Sequence, residues 1–334
     1  MMLRAGVDLG GTKIQVAVVD AEGTVIGQCR IATPQDHGPP GVIDAMVQSV
    51  RDAMSDAKAD MGSLLGVGVG APGQIDHDAG TVSHAGNLPD WLNTVAVAGP
   101  MRTALGVPVE LANDVQVGVM AESQLGAGRP YSSILGVFCG TGVGGGIVIN
   151  DDLWLGRGAA GEVGHMVVEP DGAPCPCGRR GCLEAYAGRA AMEAEARRRV
   201  EHGKKTRLFD IMEKKERTRL SSAVWAKALD KGDHMAEDLI NRAVWALGLA
   251  CASAINLLDV EAVVIGGGLG CRLGAPFAGR IRDAMLPHLI LQEKAPEVLS
   301  AALGDLGGAT GAALRVEPTV PPPGEIGVIV DRND

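Results

Sequence analysis

The segment VDLGGTKIQVAVVD, residues 7–20, holds two apolar, β-branched runs separated by Gly10 and Gly11. Paired glycines between two such runs are typical of a tight β-hairpin. The same plan of strand, glycine turn and strand returns in ILGVFCGTGVGGGIVIN, residues 134–150. Two hairpins of one design, far apart in the chain, predict a duplicated domain.

A third glycine turn, AVVIGGGLG at residues 262–270, follows an apolar strand, and we expect a helix after it. The segments between the turns have helical character: residues 41–58, 94–105, 115–125 and 235–258. Strands that alternate with helices predict an α/β architecture. From Pro318 onward the chain is rich in proline, which predicts a surface tail.

The composition limits the function. With 334 residues, 46% of them hydrophobic, the chain can bury a large core, and two domains are expected. Acidic residues outnumber basic ones by 40 to 30, so we expect no nucleic-acid partner. The first residues lack the pattern of a signal peptide, and we find no uninterrupted apolar stretch that would span a bilayer. We therefore expect a cytoplasmic protein with no membrane partner.

Basic residues are concentrated between Arg197 and Arg219, where ten lysines and arginines accompany four acidic residues. Such a run favours a solvated helical face with ion pairs inside the helix. A docking surface for a polyanion such as polyphosphate is the alternative interpretation.

The densest group of potential metal ligands consists of His165, Cys175, Cys177 and Cys182. Three thiolates and one imidazole complete a tetrahedral Zn²⁺ shell and leave no position for a catalytic water, so the predicted zinc is structural. This clustering argues against a disulfide framework. We expect buried thiols at the other four cysteines, which are Cys29, Cys139, Cys251 and Cys271.

The glycine turns are candidate phosphate cradles. Gly140, Gly142 and Gly145 satisfy G-x-G-x-x-G, but a strand follows instead of a helix, so the dinucleotide-binding interpretation fails. Backbone N–H groups of a glycine turn can still approach phosphate oxygens closely. The first turn adds a carboxylate for Mg²⁺, a hydroxyl and an ammonium group, from Asp8, Thr12 and Lys13. For this turn alone, a plain hairpin with a charged edge remains the alternative.

The pair Asn113–Asp114 follows the apolar segment PVELA, where a strand ends and a helix begins. Ligands of α/β sheets bind at this edge, and an aspartate there could accept the proton of an attacking hydroxyl. Because Asn and Asp are favoured at helix N-caps, capping is the alternative.

Two carboxylates, Glu162 and Glu184, flank the predicted zinc site. One ring nitrogen of His165 can bind zinc while the other offers a hydrogen bond to a substrate hydroxyl. Carboxylates, an imidazole and an amide suit a ring of hydroxyls, which predicts a sugar pocket. A purely structural zinc knuckle with solvent-exposed acids is the alternative.

These motifs resemble those of the ROK family of bacterial sugar kinases and repressors, most closely its glucokinases. The matching motifs are DLGGTK (8–13), GAPG (70–73), ND (113–114), GTGVGGG (140–146), GEVGH (161–165), CPCGRRGCLE (175–184) and IGGGLG (265–270). The resemblance implies an α/β, actin-like ATPase fold, which is a duplicated ribonuclease H-like fold with two lobes around a cleft. Residues 1–114 with about 303–334 would form the smaller lobe, and 115–302 the larger lobe with the zinc site.

The resemblance also implies a role for each matching residue. Asp114 would be the general base. The sugar ligands would be Gly73, Asn113, Glu162, His165 and Glu184, with Asn87 a weaker candidate. The phosphates of ATP would contact Asp8, Gly10, Gly11, Thr12, Lys13, Gly140, Thr141 and Gly142, and the adenosine Gly266, Gly267 and Gly268.

The expected activity is transfer of a phosphoryl group from ATP, bound with Mg²⁺, to O6 of glucose, giving glucose 6-phosphate. A kinase for mannose, fructose or N-acetylmannosamine, a glucokinase that uses polyphosphate, and a sugar-responsive repressor without kinase activity are the alternatives. The family also implies a homodimer or homotetramer.

Overall fold

The computed structural model describes residues 2–86 and 88–316, so Asn87 and the proline-rich segment lie outside the described residues. The strands are, in chain order, β1 (Leu3–Leu9), β2 (Lys13–Val19), β3 (Val25–Ala32), β4 (Leu64–Ala71), β5 (Gln74–Asp76), β6 (Thr81–Ser83), β7 (Val95–Ala96), β8 (Val109–Asn113), β9 (Ile134–Cys139), β10 (Val143–Ile149), β11 (Asp152–Leu153), β12 (Ala262–Gly266) and β13 (Glu297–Ser300). The helices are α1 (Gly38–Asp56), α2 (Ala98–Leu105), α3 (Asp114–Leu125), α4 (Glu184–Ala187), α5 (Arg189–Glu201), α6 (Leu208–Lys214), α7 (Ser222–Asp230), α8 (His234–Leu258), α9 (Gly267–Met285) and α10 (Gly307–Leu314).

Two five-stranded sheets have the same strand order and the same directions. The first is ordered β3-β2-β1-β4-β8 and the second β11-β10-β9-β12-β13. In each sheet the central pair, β1–β2 or β9–β10, is an antiparallel hairpin. The next strand beside β1 or β9, which is β4 or β12, runs parallel to it. The duplication predicted from the two glycine hairpins is therefore confirmed, as is the α/β architecture.

The last helix packs on the first sheet. Helix α10 contacts β1, β4 and α3. It can approach this closely because the strands present glycines beneath it. A Cβ on Gly6 would collide with the backbone of Ala309, and one on Gly68 with the backbone of Ala312. The C-terminal part of the described chain is thus fixed against the strands that begin it.

Helix α8 begins at His234 and ends at Leu258, close to the bounds expected from the sequence. The side chain of Asp233 caps it by accepting a hydrogen bond from the N–H of Ala236 at 2.9 Å. Among the described residues, α8 has the length and composition of a helix that could cross a membrane, but charged and polar side chains interrupt its apolar sequence. Of its most apolar 18 residues, 67% are buried inside the protein.

The helix expected over residues 94–105 is wrong at its start. Val95 and Ala96 form strand β7, which pairs with Val82 and Thr81 in a small three-stranded sheet. The helix begins only at Ala98. The N–H groups of residues 97 and 98, at its start, both donate to the carbonyl oxygen of Gly80. Strand pairing overrode the local pattern. The third glycine turn behaves as predicted, because α9 starts directly after β12.

Candidate active site

A large cleft, of about 1890 Å³, lies against the carboxyl ends of parallel strands from both sheets. Ligands of α/β sheets bind at this kind of edge. Most of the residues selected from the sequence line it: Asp8, Lys13, Gly73, Asn113, Asp114, Gly140, Thr141, Gly142, Glu162, His165, Cys177, Glu184, Gly267 and Gly268. The fold therefore gathers residues from distant parts of the chain into one site.

Among the described residues, six of those selected from the sequence do not line the cleft: Gly10, Gly11, Thr12, Cys175, Cys182 and Gly266. The N–H of Gly10 bonds to the carbonyl oxygen of Lys13 at 2.9 Å, which closes the first hairpin. The hydroxyl of Thr33 donates to the carbonyl oxygen of Gly10 at 2.6 Å. These backbone groups are occupied within the protein, while the Asp8 and Lys13 side chains reach the cleft.

Asn113 caps the helix that follows it. Its Oδ1 accepts hydrogen bonds from the N–H groups of Val115 and Gln116, at 3.0 and 3.3 Å. The capping interpretation therefore holds for this residue. The cap uses only the amide oxygen, so the amide NH₂ group stays available at the cleft.

Asp114 is the first residue of α3, and its half-buried side chain lies at the cleft wall. Its Oδ1 accepts a hydrogen bond from the N–H of Val115 at 2.9 Å. Burial raises the pKa of Asp114 to about 6, the nearby carboxylates of Asp8 and Glu162 also raise it, and the Val115 N–H opposes the rise. A carboxylate with a pKa near neutrality is suited to accept and release a proton at physiological pH.

Asp8 and Lys13 form the charged edge of the first hairpin. Burial raises the pKa of Asp8, Lys13 opposes this, and Asp305 adds to it. Asp305 lies 3.8 Å from the Lys13 ammonium, across the cleft edge. Sequence reasoning missed Asp305 because nothing marks an acid before the last helix as a neighbour of the first turn.

The predicted metal ligands lie together. Ligand atoms of His165, Cys175, Cys177 and Cys182 all fall within 4.8 Å of one another. The Cys177 and Cys182 sulfurs are 3.7 Å apart, and His165 Nδ1 is 3.8 Å from the Cys175 sulfur. A tetrahedral Zn²⁺ with Zn–S bonds of about 2.3 Å has sulfur–sulfur edges of roughly 3.8 Å, so the four residues fit this ion.

The remaining cysteines agree with the prediction in part. All seven cysteines are free thiols, as expected from their distribution. Cys139 and Cys251 are buried and Cys29 is half-buried. Cys271, however, is exposed near the start of α9 and lines the cleft, so the expectation of a buried thiol is wrong there.

His165 connects the cysteine cluster with the cleft. Its Nδ1 faces Cys175, and the residue also lines the cleft, which leaves Nε2 for a ligand. The exposed Glu162 lies one turn earlier, and its carbonyl oxygen accepts the N–H of His165 at 3.0 Å. The cluster thereby sets the position of two polar side chains in the cleft.

Glu184 ties the cysteine-rich segment to the second glycine turn. Its Oε2 accepts the N–H of Val143 at 2.9 Å. A Cβ on Gly142 would collide with this carboxylate, so the contact requires a glycine there. The other carboxylate oxygen remains available to a ligand in the cleft.

Arg189, which sequence reasoning missed, holds the same turn from the other side. Its Nε donates to the carbonyl oxygen of Gly140 at 3.0 Å, and its terminal nitrogen to the Thr141 hydroxyl at 3.3 Å. No motif marks this arginine in the sequence. The cleft wall includes further residues that were not selected, among them His77, Arg157, Arg179, Arg219 and Arg272.

The basic run forms ion pairs within helix α5, as predicted. Arg197 pairs with Glu193, and both Arg198 and Arg199 pair with Glu195, at 2.7 to 2.8 Å. The start of the run is therefore a solvated helical face. Arg219, at its end, is different and lines the cleft.

Two sheets of one topology, with glycine turns and carboxylates facing a common cleft, define a protein of the actin-like ATPase fold. The chain belongs to the ROK family, whose sequence model matches residues 4–318.

Relatives in this family cover nearly the whole chain. A glucokinase from Thermotoga maritima is 33% identical over 310 residues, which is 92% of this chain and 95% of that protein. An N-acetylmannosamine kinase from Yersinia pestis is 32% identical over 268 residues, 80% of this chain and 83% of that protein. The crystal structure of a ROK family glucokinase from Streptomyces griseus, in complex with glucose and AMPPNP, matches with a TM-score of 0.79 and 32% identity. That match covers 93% of this chain and 98% of the other.

Proposed function

We propose that this protein is an ATP-dependent sugar kinase that phosphorylates glucose at O6. The observation that carries the proposal is the position of Asp114, half-buried at the cleft wall near Asp8 and Glu162, with its pKa raised to about 6. The glucokinase relatives support glucose as the acceptor.

The sugar would bind at the side of the cleft that carries the zinc-linked segment. The amide of Asn113, the carboxylates of Glu162 and Glu184, and Nε2 of His165 offer both donors and acceptors to ring hydroxyls. Each hydroxyl so paired contributes to discrimination, because an analogue that lacks it leaves a polar group unpaired. Gly73, whose backbone has a φ of 90°, lets the chain turn along this wall.

The donor phosphates would lie between the two hairpins. The N–H of Gly140 bonds to the carbonyl oxygen of Gly142 at 2.8 Å, so the N–H groups of Thr141 and Gly142 would cradle phosphate oxygens. The Lys13 ammonium would offset their charge, and Asp8 would hold the Mg²⁺ that accompanies ATP. Asp114 would take the proton from O6 as that oxygen attacks the γ-phosphorus in line. Positioning and charge neutralisation would supply most of the rate enhancement.

His165, Cys175, Cys177 and Cys182 would hold one structural Zn²⁺. The bound metal would supply no chemistry to the transfer, since its four protein ligands leave no open position. The ligands would instead fix the loop that carries Glu162 and Glu184, and the orientation of the His165 ring.

The test is the substitution Asp114→Asn. We expect turnover of glucose with MgATP to fall at least about a thousandfold, because general-base catalysis is lost, while glucose binding measured by calorimetry persists. Asp44→Asn, on an exposed face of α1, is the matched control and should keep full activity. Normal turnover in Asp114→Asn would remove Asp114 from the proposed role.

A second acceptor is favoured by the N-acetylmannosamine kinase relative. Ranking glucose, mannose, fructose and N-acetylmannosamine by kcat/KM would identify the preferred sugar. A kcat/KM for N-acetylmannosamine above that for glucose would replace glucose as the proposed substrate.

We further propose that the protein works in the cytoplasm as a homodimer or homotetramer, without a nucleic-acid or membrane partner. Light scattering of the purified protein would give the oligomeric state. Retention of specific DNA at physiological salt, without kinase activity, would favour the repressor alternative instead.

A further inference from the structure

Arg219 is the single member of the basic run, within the described residues, that lines the cleft. It lies in the turn between α6 and α7, and its side chain is 62% exposed. The run as a whole thus provides one cation to the site, and the position of that cation is set by a specific contact.

The contact is with Glu193, a nearly buried carboxylate on α5. Its Oε2 accepts the Nε–H of Arg219 at 3.1 Å and the backbone N–H of Leu220 at 2.9 Å. Although burial opposes it, hydrogen bonds from Arg197, Leu220 and Arg219 hold the pKa of Glu193 below its ordinary value. The carboxylate therefore stays ionised and fixes both the backbone and the guanidinium of this turn.

Glu193 occupies only the Nε–H of Arg219. The four N–H donors on the terminal nitrogens have no partner among the described residues. A guanidinium presents these donors as a planar fork that matches phosphate oxygens. A partly fixed, partly exposed arginine in a cleft is therefore suited to bind an anion.

The surroundings place Arg219 near two glycine turns. Arg189, which bonds to the second glycine turn, lies close enough to Arg219 that their repulsion adds to burial in lowering the pKa of Arg189. Three residues after Arg219, Ser222 faces the third glycine turn, with its hydroxyl 3.7 Å from an ideal Cβ on Gly268. Arg219 thus lies between the second and third turns.

The local charge also favours an anion. Three guanidinium groups, those of Arg189, Arg197 and Arg219, surround the single carboxylate of Glu193. Of the three, Arg219 lines the cleft, so in a chain with a formal net charge of −10 the local balance behind this part of the wall is positive.

We propose that Arg219, positioned by Glu193, binds the phosphate chain of the phosphoryl donor. This inference rests on the proposed kinase function, and it adds a specific donor contact that no glycine motif supplies. The same fork suits ATP and inorganic polyphosphate, which share a chain of phosphate anions.

The test compares Arg219→Ala with Arg217→Ala, a neighbouring exposed arginine outside the cleft wall. Calorimetry on the full chain measures binding of Mg-AMP-PNP, magnesium tripolyphosphate and adenosine. In Arg219→Ala we expect the Kd of both phosphate ligands to rise about tenfold or more and that of adenosine to stay unchanged, since only charge-assisted hydrogen bonds are lost. Arg217→Ala should match the wild type for all three ligands.

Two further variants sharpen the result. Arg219→Lys should recover part of the phosphate affinity, because the ammonium keeps the charge but lacks the fork. Glu193→Gln, with its fold verified by circular dichroism, should raise the Kd of the phosphate ligands as Arg219→Ala does. Unchanged phosphate binding in Arg219→Ala, or an equal loss for adenosine, would overturn the proposal.

The outcome is separable from that of the kinase proposal, because binding is measured without turnover. A wild-type protein that phosphorylates no sugar would refute the kinase while leaving the Arg219 comparison readable. Turnover of the wild type with ATP and with polyphosphate then shows which donor uses the contact.

Discussion

The two glycine hairpins occupy equivalent positions in their sheets but are held by different means. In the first, Gly10 is fixed by Lys13 and Thr33, which belong to the same sheet or follow it directly. In the second, the N–H of Gly140 likewise closes the turn on the carbonyl oxygen of Gly142, but the side chains that hold it, Arg189 and Glu184, come from the helices that follow the cysteine cluster. In its side-chain contacts the first hairpin is therefore self-contained, and the second depends on an inserted segment.

The side chains of the two hairpins differ as well. Asp8, two residues before the first turn, has Phe138 as its counterpart two residues before the second, and both line the cleft. At this position the first sheet therefore supplies a carboxylate and the second an aromatic ring. The two halves share one strand plan but differ in what they bring to the same place in the cleft.

The largest expected effect comes from removing one of the proposed zinc ligands of the second half. Cys182→Ser should abolish zinc binding and lower the free energy of unfolding by roughly 5–10 kcal/mol, because zinc binding and folding are coupled. Metal analysis and calorimetric melting measure the two effects. Cys271→Ser, which changes an exposed thiol outside the cluster, is the control and should retain both zinc and stability. A Cys182→Ser protein with full metal content and an unchanged melting temperature would contradict the prediction.

The next effect tests the charge of the first half. Asp8→Asn should lower kcat several hundredfold, because it removes the carboxylate proposed to hold Mg²⁺, and the Mg²⁺ offsets the phosphate charge in the transition state. Glucose affinity should change little. The matched change in the second half, Phe138→Leu, removes no charge and should lower kcat by less than about tenfold. Steady-state kinetics at saturating Mg²⁺ compare the two. Equal losses would mean that the halves do not divide the work in this way.

The features that could be read from the sequence are local ones. The hairpins, the strand before Gly266 and the cysteine cluster each lie within a few residues along the chain, and steric or ligand rules fix them. The pairing of Val95 and Ala96 with β6 could not be read, because their partners lie outside any local window.

The same limit applies to the site. Asp114 was identified from the end of its strand, but its raised pKa depends first on burial and then on Asp8 and Glu162, which only the fold brings near. Glu184 was selected as a sugar ligand, and its bond to Val143, 41 residues away in sequence, became visible only in the structure. Arg189 and Asp305 lacked any signal, since their partners are backbone or side-chain groups of distant turns.

A third prediction concerns the cost of the buried acid in the first half. Because the pKa of Asp114 is raised from 3.8 to about 6, the folded protein binds the proton more tightly than the unfolded chain does. Ionisation therefore destabilises the fold by about 3 kcal/mol above pH 6, and this penalty disappears as the pH falls below about 4.

Asp114→Asn should accordingly melt at a higher temperature than the wild type at pH 7.5, and the difference should vanish near pH 4. In the wild type, kcat/KM for the sugar should fall as the pH drops below about 6, when the base is protonated. Asp44→Asn, on an exposed helix face, should show no such stability gain. A stability gain in Asp114→Asn that does not depend on pH would assign it to packing instead of ionisation.

The smallest effect distinguishes the two turns directly. In Gly142→Ala the new Cβ would meet the Glu184 carboxylate, so the side chain must move and its bond to the Val143 N–H is lost. In Gly10→Ala the nearest neighbour is the carbonyl oxygen of Lys13, at 3.2 Å, which a small shift accommodates. We expect Gly142→Ala to lose about 1–2 kcal/mol of stability and Gly10→Ala to change by less than about 0.5 kcal/mol.

The kinetic readout separates this from a general weakening of the fold. Glu184 contacts both the second turn and the sugar side of the cleft, so Gly142→Ala should raise KM for the sugar and for ATP together. The double variant Gly142→Ala with Glu184→Gln should lose less stability than the sum of the losses of the two single variants, because both changes remove the same contact. Additive losses would show that Glu184 does not couple the turn to the sugar wall, and the self-contained and the dependent hairpin would then differ only in stability.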